Sequence, residues 1–107
     1  MSANKELEYN TVWIAQRADP YVVKDASGSY YFTASVPAYD SIVLRKSDTL
    51  EGLAQAEETE IWHKHESGPM SKHVWAPEMH FLFGKWYVYF AAGEKDDIWK
   101  IRPYVLE

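Results

Sequence analysis

The chain has no cysteine, so a disulfide framework, a thiolate metal cluster and a cysteine nucleophile are all excluded. It has no apolar run approaching the ~20 residues that cross a bilayer as a helix, and no membrane partner is expected. Nor does any stretch concentrate Lys and Arg. Eleven bases stand against sixteen acids, a net charge of −5, whereas nucleic-acid affinity rests on clustered cations; no nucleic-acid partner is expected. The first residues, Met1–Asn10 (MSANKELEYN), are polar and charged, without the apolar segment of a signal peptide. From this a cytoplasmic location is expected.

What is present is a globular composition, 47% hydrophobic and 25% charged over 107 residues, a length that builds one core and not two. The unusual quantity is aromatic: five Trp, eight Tyr and four Phe. A sheet interior explains most of them, because aromatic and β-branched side chains suit a pleated surface. Sugar binding explains the remainder, since sugar rings lay C–H faces on indole and phenol planes.

Short apolar runs recur between Gly, Pro, Asp and Ser clusters, and no 3.6-residue period is sustained, so the chain is predicted to be all-β with antiparallel strands. Pro20–Lys24 (PYVVK), the turn Asp25-Ala26-Ser27-Gly28 and Tyr30–Ala34 (YYFTA) form a hairpin. A third strand follows at Ser41–Lys46, with Ile42 and Leu44 on one face and Val43 and Arg45 on the other. In Ser47–Ala56 the spacing of Asp48 and Glu51 is a weak capping box interrupted by Gly52, which predicts one helical turn or a loop. Glu60–Lys64 is a fourth, outer strand.

The pattern then restarts. Val74–Pro77 lead into Met79–Phe83, Gly84-Lys85 turn, Trp86–Ala92 (WYVYFAA) is a long apolar strand, and Ile98–Leu106 adds one more with Pro103 towards its edge. Gly28-Ser29-Tyr30-Tyr31 and Gly84-Lys85-Trp86-Tyr87 are offset by 56, Pro20 and Pro77 by 57. An internal repeat of a four-stranded antiparallel sheet is the signature of a propeller blade. Blade one covers about 19–64 and blade two starts at about 74, lacking its last strand; no complete second domain is expected.

Arg17-Ala18-Asp19-Pro20-Tyr21-Val22 with Tyr30-Tyr31-Phe32-Thr33-Ala34-Ser35, and His73-Val74-Trp75-Ala76-Pro77-Glu78 with Gly84-Lys85-Trp86-Tyr87-Val88-Tyr89-Phe90, resemble family 43 glycoside hydrolases from Trp13 onward. The likeness is greatest to α-L-arabinofuranosidases, with β-xylosidases and arabinanases sharing much of the pattern. It implies a five-bladed β-propeller of which this chain is the first blade and most of the second. It further implies an inverting enzyme with an aspartate base in blade one, a pKa-modulating aspartate and a glutamate acid from later blades. Only Asp19 maps onto that trio. Inversion needs one carboxylate to activate water and a carboxylic acid on the opposite face to protonate the leaving oxygen, roughly 6.5–9.5 Å apart. One carboxylate does not perform both tasks, so this chain alone is expected to be inactive.

Asp19 suits the base role because Pro20 biases its backbone to extended conformations that point the carboxylate into a central cavity; the bland reading is a turn-initiating Asp-Pro dipeptide. Trp75 and Glu78, at the matching place in blade two, are expected to face the same cavity and bind sugar, against inter-blade packing for Trp75. Asp40 and His73 complete the expected substrate contacts at the pocket rim. His63, His65, Glu66, His73 and His80 contain the makings of a zinc set, but their spacing fits no standard motif, and neither metal nor cofactor is expected. A Ser71–His73 triad has no nucleophile-elbow context.

The function expected is hydrolysis of arabinofuranosyl or xylosyl units in plant polysaccharides; the alternative is a noncatalytic carbohydrate-binding or self-associating β module. Two blades of a ring leave two sheet faces uncovered, with Trp86 and Tyr89 towards a third blade, so a homo-oligomer is expected.

Overall fold

The computed structural model describes residues 14–107; Met1–Asn10 and Trp13 lie outside the described residues. Seven strands build two antiparallel meanders: β1 (Ala18–Lys24), β2 (Tyr30–Ser35), β3 (Ser41–Ser47) and β4 (Thr59–His63) in order, then β5 (Lys72–Leu82), β6 (Lys85–Glu94) and β7 (Asp97–Leu106) in order. None of the described residues forms a helix long and apolar enough to cross a membrane. The strands fall on the apolar runs that the sequence marks out, with most ends shifted by one or two residues; β5 joins Val74–Pro77 and Met79–Leu82 into one strand, and the turn expected at Gly84-Lys85 lies at Phe83-Gly84. At the first hairpin the Asp25 carboxylate accepts hydrogen bonds from Ser27 N (3.0 Å), Ser27 Oγ (2.7 Å) and Ser29 N (2.9 Å). The Ser27 hydroxyl does most to hold that carboxyl below its usual range. Gly28 and Gly84 take φ of 95° and 79° at the two repeat-related turns, values that side chains rarely adopt.

Alternation decides what each face of the first sheet touches. Tyr21, Val23, Tyr31, Ile42, Leu44 and Trp62 point to the second sheet, where Val74, Met79, Val88, Phe90 and Ala92 receive them. Trp62 lies 5.1 Å from Phe90 and Tyr31 5.6 Å from Trp86, ring centre to ring centre. The opposite face carries Val22, Tyr30, Phe32 and Ala34 against Leu53. This second cluster corrects one expectation: the outer face of the first sheet is not bare. A 3₁₀ turn at Glu51–Ala54 buries Leu53 completely on it, and Ile14 packs there too.

The turn itself starts differently from the expected capping box. Leu50 occupies the cap position with no side-chain bond, and Gly52 N donates instead to Thr49 Oγ1 at 3.0 Å. Arg45, on the same face as Phe32, reaches the end of the turn by donating to the carbonyls of Leu53 (3.0 Å) and Ala54 (3.1 Å).

The second sheet has its outer face open. Tyr87, Tyr89, Ala91 and Val105 alternate outward, with Tyr89 40% and Val105 50% exposed. Trp86 does not join them, contrary to expectation; as an even-numbered residue of β6 it shares the inward side with Val88 and Phe90. Pro103 pairs with Ala91 in β7, the outermost strand of the three, where its missing N–H interrupts no further ladder.

Candidate functional site

Strand directions collect one set of loops at a single end. β1 and β5 begin there, β2 and β6 finish there, and the loop between β2 and β3 and the turn between β6 and β7 join them.

At that end the first sheet contains an extra residue. Ala18 pairs with Ser35 and Tyr21 with Thr33, so three steps along β1 match two along β2. The bulge holds Asp19 at φ 49°, left-handed, and not in the extended conformation expected before a proline. Pro20 leaves no N–H for the ladder, so the bulge is tolerated where the pairing is already broken. The second sheet repeats it. Trp75 pairs with Ala91 and Glu78 with Tyr89, again three steps against two, with Ala76 at φ 53° before Pro77. The 57-residue offset thus relates Asp19 to Ala76 and Tyr21 to Glu78. The position equivalent to Asp19 carries a methyl group.

A buried serine joins the bulges. Ser35 Oγ donates to Asp19 Oδ2 at 3.2 Å and accepts from Ala76 N at 2.7 Å, with Ser35 only 2% exposed. The carboxylate of the first sheet is therefore oriented by a hydroxyl that the second sheet holds in place. Asp19 and Glu78 line one cavity of about 260 Å³ together with Pro20, Tyr21, Ala76 and Pro77. From Ala76 and Glu78 a larger hollow of about 630 Å³ continues across the open face past Tyr89 and Pro103. Glu78 is exposed and lies 3.2 Å from His80 Nε2.

The approach to Asp19 is fixed by charge. Arg17 Nε donates to Glu58 Oε2 at 3.1 Å and its Nη2 donates to Oε1, while Arg45 Nε reaches Oε2 at 3.1 Å. All three side chains are mostly buried. The Arg17 hydrogen bond, with Arg45 assisting, holds the Glu58 carboxyl below its usual range, and Glu58 raises the Arg17 guanidinium in return.

Next to the cavity lies an aromatic group. The His73 ring stacks on Trp75 at 5.0 Å and 14°, Tyr39 meets Trp75 edge-on at 5.4 Å, and Trp99 lies 5.8 Å from His73. His73 sits at φ 51°, with Nδ1 buried and without a hydrogen-bond partner among the described residues. Stacking, not hydrogen bonding, sets its ring.

Of the five residues singled out from the sequence, Asp19 and Glu78 share the cavity, and His73 and Trp75 stack beside it. Asp40 is separate: it does not line that cavity, and its carbonyl accepts Lys64 N at 2.8 Å. Ser35, Glu58, Tyr39 and Trp99 carry parts of the arrangement that sequence reasoning left unassigned. The histidines are dispersed, His63 beside Glu60 and His65 on the Pro69 carbonyl. Among the described residues no three His, Asp or Glu groups converge to hold a metal. Ser71 Oγ is engaged by the Gly68 carbonyl and Lys95 N.

A family model described as glycosyl hydrolases family 43 matches residues 9–107. An extracellular exo-α-(1→5)-L-arabinofuranosidase of Streptomyces avermitilis is 57% identical over 105 residues, 98% of this chain and 22% of that protein. The protein of the same name from Streptomyces chartreusis is 51% identical over 99% of this chain and 32% of its own length. Among solved structures, an α-L-arabinofuranosidase from Lactobacillus brevis aligns with a TM-score of 0.77 at 48% identity, over 87% of this chain and 31% of that one. A thermostable family-43 glycoside hydrolase, at 22% identity, 84% and 28% coverage and a TM-score of 0.59, shares the fold. The chain thus spans about a fifth to a third of the curated relatives it matches. The cytoplasmic location expected from the polar amino terminus is overturned, because the two Streptomyces relatives are named extracellular.

Proposed function

The chain belongs to glycosyl hydrolase family 43, and from that premise we propose that it is the part of an α-L-arabinofuranosidase that carries the general base, Asp19. The two sheets are read as the first blade and most of the second blade of a five-bladed propeller, about 19–64 and from about 74. The single observation that carries the proposal is the clamp on Asp19: its carboxylate hangs from a left-handed bulge, is oriented by Ser35 Oγ, and opens on a cavity shared with Glu78. A base that takes a proton from water needs an oriented, ionised carboxylate facing space for that water.

In this mechanism Asp19 Oδ1, the oxygen Ser35 leaves free, draws a proton from a water below the anomeric carbon. The water oxygen attacks that carbon as the glycosidic bond breaks, and the leaving oxygen takes a proton from a carboxylic acid on the opposite side, with inversion. The symmetric position in the second sheet carries Ala76, which offers no carboxylic acid. Glu78 binds sugar hydroxyls, Trp75 and His73 form the pocket wall, and Asp40, which the fold sets apart from the cavity, takes no part; the acid and the modulating aspartate belong to the share of the family's length that this chain does not span. The substrate is an arabinose-containing oligosaccharide or polysaccharide.

The test is Asp19→Asn in a full-length enzyme containing this segment. Loss of roughly 10²–10⁴ in kcat/KM on nitrophenyl arabinofuranoside is expected, with unaltered thermal unfolding. Retained activity places the base elsewhere; binding without hydrolysis by the unmutated full-length protein favours a noncatalytic carbohydrate module.

A further inference from the structure

We propose that His80 is a positioning residue: its Nε2–H holds the Glu78 carboxylate in the direction from which that group meets the sugar over Asp19. This rests on the reading of Glu78 given above. The two residues stand two apart on β5, so both side chains leave the same face of the strand, and Nε2 lies 3.2 Å from Glu78 Oε1. The imidazole has little freedom of its own. Tyr21 of β1 lies 5.6 Å from it, tilted at 52°, and Tyr89, the partner of Glu78 in β6, lies 5.8 Å away at 72°, ring centre to ring centre. Tyr21 also lines the cavity that Asp19 and Glu78 share, so one of the rings that steady His80 comes from the strand that carries Asp19.

Neither packing nor stability accounts for the pair. The repeat relates Glu78 to Tyr21 and His80 to Val23, and the ladders agree: Tyr21 pairs with Thr33 and Val23 with Tyr31, as Glu78 pairs with Tyr89 and His80 with Tyr87. In the first sheet these two positions carry apolar side chains packed against the second, so the strand itself does not call for a carboxylate and an imidazole. The Glu78 side chain is more than half exposed, and a charged pair in such a place adds little to stability. What the bond changes is the range of directions the carboxylate samples. Glutamate has many rotamers, and ordering such a side chain on binding costs affinity; a carboxylate already held by Nε2 avoids most of that cost. The bond engages Oε1, which leaves Oε2 to accept from a sugar hydroxyl.

The experiment measures kcat and KM on nitrophenyl arabinofuranoside for a full-length enzyme containing this segment and for its His80→Phe, His80→Gln and Glu78→Ala variants. Phenylalanine keeps a ring between Tyr21 and Tyr89 but has no donor, whereas glutamine keeps a donor. His80→Phe should raise KM roughly 2- to 10-fold while altering kcat less than about twofold, and His80→Gln should recover most of that loss. Added to Glu78→Ala, His80→Phe should change KM no further, because the two residues act through one bond. Should phenylalanine not fold there, His80→Leu removes the same donor and faces the same criteria. Where Glu78→Ala raises KM, an unchanged KM in His80→Phe overturns the positioning role, as does an effect as large without Glu78 as with it. If Glu78→Ala itself leaves KM unaltered, the sugar contact assigned to Glu78 fails, and the positioning role with it.

Discussion

Replacing Ser35 by alanine removes one hydroxyl and, with it, both hydrogen bonds that connect Asp19 to the second sheet. The two losses have different sizes. Asp19 is exposed, so water replaces the Ser35 hydroxyl at its carboxylate and little stability is lost there. Ala76 N is different: its bond to Ser35 Oγ is short, 2.7 Å, and partly buried, and a donor left unpaired in such a place costs about 1–3 kcal/mol. Because Ala76 itself is exposed, the lower half of that range applies, about 1–2 kcal/mol. For a domain of this size each kcal/mol lowers Tm by roughly 4–8 °C. Thermal and urea unfolding of the 107-residue chain should therefore show a Tm lower by at least ~4 °C with an unchanged m value. Asp19→Ala should move Tm by far less. In the double variant the two effects should fall short of additivity, since both act on the Ser35 hydroxyl. A Ser35→Ala chain as stable as the parent would refute the idea that this hydroxyl ties the bulges together.

Glu58→Gln should destabilise the chain near neutral pH by about 1–3 kcal/mol, by weakening the hydrogen bonds to two guanidiniums. Arg17 and Arg45 lower the folded-state pKa of Glu58, so its contribution is complete above the usual glutamate value of ~4.3 and lost as pH falls through the lowered one. The stability gap between the two chains, read from urea melts, should accordingly close below about pH 4; a gap that widens with acid would contradict this. The 107-residue chain alone should release no arabinose from nitrophenyl arabinofuranoside above background, and a turnover that vanishes with Asp19→Asn would show that it holds its own acid. It should also self-associate through the open face of the second sheet, more weakly after Val105→Lys. Sedimentation over a dilution series giving a monomer throughout would oppose that expectation.

The strands were legible because each side of the sheets is written in alternation: Tyr31 and Ile42 go one way, Phe32 and Arg45 the other, and turns close each run. The repeat was legible too, as two proline-to-glycine intervals of similar length. The conformation of Asp19 was not. A proline favours an extended predecessor, and nothing local announces that the opposing strand is one residue shorter across the bulge. Ser35 escaped notice for a related reason: a serine closing an aromatic strand looks like a strand end until Ala76, 41 positions later, is brought against it. Trp86 and Tyr89 were placed on one face because an apolar run hides its own parity; burial on both sides of β6 at one end erases the alternation that would separate them.

The paired bulges mean that this scaffold separates the shape of a seat from what is seated in it. Two kinks of the same geometry, each an unusual backbone turn ahead of proline, hold a carboxylate in one case and a methyl group in the other. Such a frame can change its chemistry by exchanging the occupant while its ladder and fold stay as they are. Ala76 is accordingly a natural site for redesign, since an aspartate there would inherit a conformation that Asp19 already adopts and would face the same 260 Å³ hollow from the other wall.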